Sequence, residues 1–303
     1  MPLPRLLAMA SSLVALLIFL FSGGGNLLSD PIAQGAESYF QSIAKNDIPL
    51  KRPRPGEWLY EHKEAGQNLA AYQQLPPFRP DSLKNTIYLQ PVGRFTVLQW
   101  KALEATQEYL HIFFQRRVVL LPAVADTLVP PSARRKQQGQ VQLLAPYLLD
   151  AYLKNRLPAS GLALMAISAK DLYPRPDWNY VFGLASYPDR VGVTSIYRLQ
   201  DQSLTTENYT RCLSRLVNIS SHEIGHMFSL RHCTYAHCVM NGTNSLPETD
   251  TTPNRLCSEC QRKLHWNFQY DNLRRLQELA AFFRRNELRR DYALTSQDLR
   301  KAL

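Results

Sequence analysis

Residues 222–232 have the sequence HEIGHMFSLRH, and the rest of the chain is best interpreted around this stretch. On a helix, His222 and His226 lie one turn apart on the same face, so both imidazoles can reach one zinc ion. His232 lies too far along a continuous helix to join the other two. We therefore expect the helix to end, and the chain to turn sharply, near Ser229.

Three neutral imidazoles leave the fourth tetrahedral position of zinc open, which is typical of catalytic and not of structural zinc sites. Glu223 follows the first histidine directly, and its carboxylate can accept a proton from water without binding the metal. The arrangement predicts amide hydrolysis, with Glu223 as the general base that later returns the proton to the leaving amine. The expected substrate is a peptide or a protein.

Four of the five cysteines follow this stretch, in two close pairs with the spacings C-x4-C and C-x2-C. They are Cys233, Cys238, Cys257 and Cys260. The spacing is typical of a closed tetrahedral zinc site, which would support the loop that carries His232. Two disulfide bonds are the alternative, because an exported protein can form them. The fifth cysteine, Cys212, is expected to be a small buried hydrophobic residue.

The combined pattern from His222 to Cys260, with Met240 between the two cysteine pairs, resembles the signature of the archaemetzincins. These are metzincin-type zinc peptidases with an additional four-cysteine zinc site. Stretches outside the signature also resemble the family, at residues 55–58, 87–91, 182–185 and 195–199. The similarity therefore extends over most of the chain, from about residue 50 to residue 270.

The resemblance implies two zinc ions, one catalytic and one structural. It assigns the catalytic zinc to His222, His226 and His232, the general base to Glu223, and the structural zinc to Cys233, Cys238, Cys257 and Cys260. It also implies that Met240 lies beneath the catalytic metal as the Met-turn residue, although an isolated methionine is more often a core residue. The family usually has glycine where this chain has Ser229, and a left-handed backbone there costs a residue with a Cβ about 1 kcal/mol.

The surrounding sequence predicts a fold of the α/β (α+β) class. Strands are expected at residues 87–92, 118–124 and 162–168, helices at 95–116 and 143–157, and an exposed loop with solvated charges at 126–139. This alternation is typical of a partly parallel sheet. Residues 180–185 and 191–197 flank a turn and predict an edge hairpin that could bind an extended peptide. The resemblance implies a metzincin-like mixed twisted sheet with an edge strand, backing helices and an active-site helix.

We divide the chain into four parts. They are an N-terminal segment (1–25), a Pro-rich, loop-rich lead-in (26–86), the metzincin-like catalytic domain (87–266) and a basic amphipathic helix docked on it (267–303). The apolar run at residues 6–21 predicts an export signal or a short membrane tether, and its length does not decide whether it is cleaved. Arg5 precedes the run, whereas Asp30 and Glu37 follow it before any lysine, so the domain is expected to be extracytoplasmic, either secreted or membrane-anchored.

Composition limits the remaining choices. The chain has 303 residues, 45% hydrophobic and 20% charged, which fits one large domain with appendages and excludes disorder throughout. The net charge of +10 would attract nucleic acid, but the charges are dispersed and no base-reading motif accompanies them, so we expect no nucleic-acid partner. We expect a monomer. The alternative to a peptidase is a catalytically silent, zinc-stabilised peptide-binding module, for which Ser229 is the only indication.

Overall fold

A computed structural model describes residues 31–75 and 77–303 of the chain. The apolar run at residues 6–21, predicted as an export signal or tether, lies outside the described residues. Within the ranges that the structure describes, no helix combines the length and the hydropathy that crossing a bilayer requires.

A five-stranded sheet lies at the centre of the fold, in the order β2-β1-β5-β8-β7. The strands are β1 (Thr86–Val92), β2 (Arg117–Leu120), β3 (Arg134–Gln137), β4 (Gln140–Leu144), β5 (Gly161–Ser168), β6 (Asp171–Tyr173), β7 (Gly183–Ser186) and β8 (Val191–Ser195). Neighbouring strands of the central sheet run parallel, except that β7 pairs antiparallel with β8 at the edge. The predicted partly parallel sheet and its edge hairpin are confirmed.

Helices cover the central sheet and continue to the C-terminus. They are α1 (Pro31–Ala44), α2 (Trp58–Glu61), α3 (Leu69–Gln74), α4 (Val97–Phe114), α5 (Ala145–Tyr147), α6 (Tyr209–Met227), α7 (Leu246–Thr251), α8 (Ser258–Phe268), α9 (Asn272–Arg285) and α10 (Arg289–Ala302). The helix predicted over 95–116 is found as α4, which begins two residues later, after a capping box formed by Thr96 and Gln99. The predicted helix over 143–157 begins later, at Ala145, and continues as π-helix over Leu148–Leu153.

Two buried apolar clusters lie on opposite faces of the central sheet. Met165 and Ile167 of β5 belong to the first cluster, whereas Leu164 and Ala166 belong to the second. This separation follows from the alternation of side chains along a strand. The first cluster also contains Leu216 of α6 and the apolar residues of α4, so it holds α6 firmly against the sheet.

The stretch 126–139 is not the exposed loop with solvated charges that its composition predicts. Arg134–Gln137 forms β3 of a second sheet, whose order is β3-β4-β6. Arg135 donates hydrogen bonds to the backbone carbonyl oxygens of Pro176 and Asn179, at 2.8 and 3.0 Å. The sequence RRKQ has no apolar alternation, so its pattern carries no strand signal even though its arginines fasten neighbouring loops.

Two helices, not one, form the basic C-terminal segment. α9 and α10 are separated by residues 286–288, where Glu287 has a φ of 59°, a left-handed conformation that ends a helix. The single predicted helix is therefore wrong. Its predicted docking on the domain is confirmed, because Leu276 and Phe283 are buried in the fold. The predicted boundary at residue 266 falls inside α8.

The lead-in (residues 26–86) contains more helix than its proline content indicates. α1 was not predicted, and it buries Phe40 and Ile43. α2 and α3 are single short turns of helix between extended stretches. α1 packs against α8 and α10, and a backbone bridge joins Pro49 to Ala236 in the chain that follows α6.

Candidate metal centre and catalytic cleft

The end of α6 has the sharp turn that the sequence requires. The backbone N–H of Ser229 donates to the carbonyl oxygen of His226, and that of Leu230 donates to Gly225, at 2.8 and 3.1 Å. These two bonds form a Schellman motif, and Ser229 takes its left-handed position with a φ of 65°. The predicted turn is confirmed, and serine adopts the conformation for which glycine is usual.

After this turn the chain brings the third histidine back to the first two. His222, His226 and His232 each present a ring nitrogen, and the three nitrogens lie within 4.8 Å of one another. The Nε2 atoms of His222 and His226 are 2.9 Å apart. Three nitrogens bound to one tetrahedral zinc would be about 3.3 Å apart, from Zn–N lengths of about 2.0 Å. The donor set therefore fits a zinc ion.

Backbone carbonyl groups orient the two helical histidines. The Nδ1 of His222 lies 2.9 Å from the carbonyl oxygen of Val239, and that of His226 lies 2.6 Å from the carbonyl oxygen of Leu230. A carbonyl oxygen can only accept, so each Nδ1 carries its proton and each Nε2 keeps its lone pair. Burial lowers the pKa of His222 to about 3, which keeps this ring neutral and able to bind a metal.

Side chains from elsewhere in the chain complete the surroundings of the histidines. The carboxylate of Glu64 lies 2.8 Å from the Nδ1 of His232. The ring of Tyr187 stacks on His226, with centroids 5.2 Å apart and a 17° angle between planes, and its hydroxyl lies 3.0 Å from Nδ1. Burial raises the pKa of Tyr187 to about 12, so this hydroxyl stays protonated at neutral pH. The sequence pattern predicts neither contact.

Glu223 is buried at the wall of the cleft, between α6 and the edge strand β7. Its side chain packs directly over Gly183, where an added Cβ would lie only 2.7 Å from the Glu223 carboxyl carbon. Burial raises the pKa of Glu223 to about 8. Gly183 lies in one of the stretches that resemble the archaemetzincins, but its function in making room for the carboxylate emerges only from the structure.

Met240 lies against the catalytic helix between its two histidines. It is fully buried, and a Cβ on Gly225 would lie 2.6 Å from its Sδ. The glycine therefore allows Met240 to approach the helix backbone closely between His222 and His226. The contact places Met240 against the helix that carries two of the three histidines.

The four clustered cysteines converge in the interior. One Sγ from each lies within 4.8 Å of the others, and all four are buried, unbridged thiols. Cys233 and Cys257 are 3.6 Å apart at Sγ, close to the roughly 3.8 Å between two sulfurs of a tetrahedral zinc site and far from a disulfide of about 2.05 Å. Backbone N–H groups of Met240 and Cys257 donate to the Sγ of Cys238, at 3.5 and 3.3 Å. The cluster therefore fits a metal, and the two-disulfide alternative is not found. As predicted, Cys212 is buried apart from this cluster.

The cysteine cluster is coupled directly to the histidine site. Cys233 follows His232 in the chain, and its backbone N–H donates to the carbonyl oxygen of Met240 at 2.7 Å. The amide nitrogen of Asn241 donates to the carbonyl oxygen of Cys233, also at 2.7 Å. A metal bound by the cysteines would thus fix the loop that carries the third histidine.

A cleft of about 420 Å³ opens onto the three histidines and Glu223. Its walls are mostly apolar, with Trp58, Trp178, Phe182, Leu184 and Ile219 among the lining residues. Such a combination of apolar walls and a few convergent polar groups is typical of a ligand-binding site. The edge strand β7 forms one side of the cleft.

Comparisons with known proteins agree with this site. The profile of Peptidase family M54 matches residues 147–266. Archaemetzincin-2 of Pongo abelii is 30% identical over 276 residues, covering 80% of this chain and 76% of that protein. Archaemetzincin-2 of Homo sapiens is 30% identical over 258 residues, covering 74% of this chain and 71% of that protein. Among solved structures, archaemetzincin from Methanopyrus kandleri has a TM-score of 0.51 at 29% identity, covering 63% of this chain and 99% of that one.

Proposed function

Because the chain belongs to the archaemetzincin family of zinc metallopeptidases, we propose that it hydrolyses peptide bonds with Glu223 as its general base. The observation that carries this proposal is that His222, His226 and His232 converge and line the same cleft as the Glu223 carboxylate.

The three histidines are the proposed ligands of the catalytic zinc. With both Nδ1 atoms protonated, the Nε2 lone pairs of His222 and His226 face each other at 2.9 Å and repel unless a cation lies between them. When bound, zinc supplies a Lewis acid for the substrate carbonyl and lowers the pKa of a water molecule to about 7.

Glu223 takes the proton of the attacking water and delivers it to the leaving amine. Burial raises its pKa to about 8, and a divalent cation nearby acts in the opposite direction, which keeps the carboxyl group within range of neutral pH. The substrate lies extended along β7, whose free edge offers backbone hydrogen bonds to a peptide strand. In this proposal the scissile bond lies near Gly183, because the Glu223 carboxylate packs against that glycine.

We propose a second, structural zinc at the four cysteines. Four thiolates would fill the tetrahedral coordination shell and leave no position for substrate. This ion would therefore stabilise the fold and take no part in the reaction. Met240 is the proposed Met-turn residue, with its side chain against Gly225 of α6 and its backbone N–H hydrogen-bonded to Cys238.

The decisive test compares wild type with Glu223→Gln. We expect about two zinc ions per chain in both proteins by plasma mass spectrometry, and at least a hundredfold slower cleavage of a mixed peptide library by the variant. The matched control is Glu278→Gln on α9, at a partly exposed position whose carboxylate pairs with Arg274, and it should cleave like wild type. Unchanged cleavage by Glu223→Gln would remove Glu223 from its proposed function. Full zinc occupancy with no cleavage by wild type would favour the silent binding module instead.

We also propose that residues 6–21 export or tether the chain, so that the catalytic domain acts outside the cytoplasm. Support comes from the apolar run and the position of Arg5. Protease added to intact expressing cells should degrade the domain. A domain that is protected until the cells are lysed would contradict this localisation.

A further inference from the structure

One segment of the lead-in, residues 58–67, is packed tightly against the loop that carries the third histidine. At one end, the ring of Trp58 covers Gly242, where an added Cβ would lie 2.5 Å from Nε1 of the indole. At the other end, Gly66 has a φ of 73° and lies so close to the Thr234 side chain that a Cβ would clash. Both contacts need glycine, which indicates a fixed position for this segment.

Glu64 of this segment is directed at His232. Its two carboxylate oxygens lie 2.8 and 3.1 Å from the Nδ1 of that histidine. The indole N–H of Trp58 donates to the same carboxylate at 3.1 Å, and the indole ring contacts the His232 ring edge-on, with centroids 4.9 Å apart. The carboxylate is thereby held in place from a second side.

Gln67 ties the same segment to the turn before His232. Its side-chain amide donates to the carbonyl oxygen of Ser229 at 3.0 Å and accepts from the backbone N–H of Arg231 at 3.2 Å. The backbone carbonyl oxygen of Gln67 accepts a hydrogen bond from the ammonium group of Lys263, at 2.7 Å. The segment therefore follows any movement of the loop that places the third histidine.

The three histidines differ in what holds their Nδ1 atoms. His222 and His226 are held by neutral backbone carbonyl groups, whereas His232 is held by an ionisable carboxylate. A carboxylate at this position fixes the tautomer and the ring orientation, and it makes the imidazole a stronger metal ligand. His232 needs this help most, because it lies beyond the end of α6 and not on a helix.

We propose that Glu64 is a positioning residue that orients His232 and strengthens its bond to the catalytic zinc, with Trp58 orienting Glu64 in turn. This inference rests on the proposed function, because it requires His232 to be the third ligand. It assigns the lead-in a direct contribution to the metal centre of the catalytic domain.

The experiment measures zinc affinity in the full chain by competition with a chromophoric chelator. Glu64→Ala should weaken the histidine site about 10- to 100-fold and leave the cysteine site unchanged. Glu64→Gln keeps a neutral acceptor, so we expect a smaller loss of several-fold. Co²⁺ substituted into the histidine site should show an altered visible spectrum in both variants. Trp58→Phe keeps an aromatic ring but removes the indole N–H. We expect it to lose less zinc affinity than Glu64→Ala.

Glu61→Gln is the matched control, since the Glu61 carboxylate accepts from the Gly56 backbone N–H and lies in the same segment. Its zinc affinity and Co²⁺ spectrum should equal those of wild type within twofold. Wild-type affinity in both Glu64 variants overturns the inference. Failure of wild type itself to bind zinc at the histidines overturns the proposed function instead. If Glu64→Ala misfolds and also loses the zinc bound by the cysteines, the result for Glu64→Gln alone tests the inference.

Discussion

Ser229 shows how a single residue can depart from a family pattern while the turn it occupies is kept. Its φ of 65° is a conformation that costs a residue with a Cβ about 1 kcal/mol, and the Schellman bonds on either side hold it there. The strain is local. It leaves the direction of the chain toward His232 unchanged, so the serine is no argument for an inactive site.

Replacing this serine by glycine should therefore stabilise the protein. We expect Ser229→Gly to raise the free energy of unfolding by about 0.5–1 kcal/mol, measured by urea denaturation, because glycine adopts a positive φ without strain. Ser229→Ala retains the Cβ and is the control, with an expected change of a few tenths of a kcal/mol. Equal stabilities of the two variants would show that Ser229 is not strained.

Gly183 is expected to be essential for catalysis although it carries no reactive group. In Gly183→Ala the new methyl would occupy the space of the Glu223 carboxylate, so the carboxylate must move. We expect peptide cleavage to fall at least tenfold while zinc content stays at the wild-type value, measured by peptide assay and plasma mass spectrometry. Gly35→Ala, where the structure has open space around an added Cβ, should cleave like wild type. A Gly183→Ala enzyme with normal kinetics would show that the carboxylate has room to shift.

The C-terminal helix α10 stabilises the cysteine loop through a buried ion pair. Asp298 of α10 accepts from the guanidinium of Arg255 at 3.0 Å, and both side chains are almost completely buried. Arg255 in turn lies two residues before Cys257. α10 therefore contacts the metal-binding loop directly, through this pair.

Removing Asp298 leaves the buried Arg255 guanidinium with only the Asp47 carboxylate, which lies farther away, at 3.8 Å. We expect Asp298→Ala to lower the free energy of unfolding by about 3 kcal/mol at neutral pH, measured by denaturant titration. The comparison is Glu278→Ala on α9, which breaks an exposed pair with Arg274 and should cost about 0.5 kcal/mol or less. Similar losses in the two variants would mean that Asp47 compensates the Arg255 charge on its own.

Elements with a strong local signal could be predicted from the sequence, and those that depend on distant contacts could not. The capping residues of α4 and the continuous apolar run of β5 are local signals. β3 has no such signal, because its polar residues become a strand only by pairing with β4. The break between α9 and α10 depends on Glu287, a residue type that gives no warning of a left-handed backbone.

The same distinction holds for the site. Spacing alone predicts that three histidines and four cysteines form two clusters, and the structure brings each set together. Glu64, Tyr187 and Gly183 reach the site from other segments of the chain, through tertiary packing that no spacing rule describes. Prediction from sequence therefore finds the groups that bind metal and misses those that orient them.

Considered as a whole, the molecule should lose two zinc ions with different consequences. As the chelator concentration rises, the ion at the three histidines should be removed first, because these histidines lie at an open cleft. The ion at the buried cysteines should be removed only at a higher concentration. We expect peptide cleavage to disappear with the first ion while circular dichroism is unchanged, and the thermal midpoint to drop only with the second. Simultaneous loss of both ions and of the fold would contradict two separate sites.

The dependence of the cysteine loop on α10 has a consequence for protein synthesis. A nascent chain exposes His222 and His226 long before the cysteine pair that begins at Cys257 has left the ribosome, and Asp298 emerges later still. During that interval the loop of His232 lacks both the complete four-cysteine cluster and the Arg255–Asp298 ion pair. We therefore expect peptide cleavage only after synthesis has passed Asp298, when the cysteines and the Arg255–Asp298 pair can both hold the His232 loop.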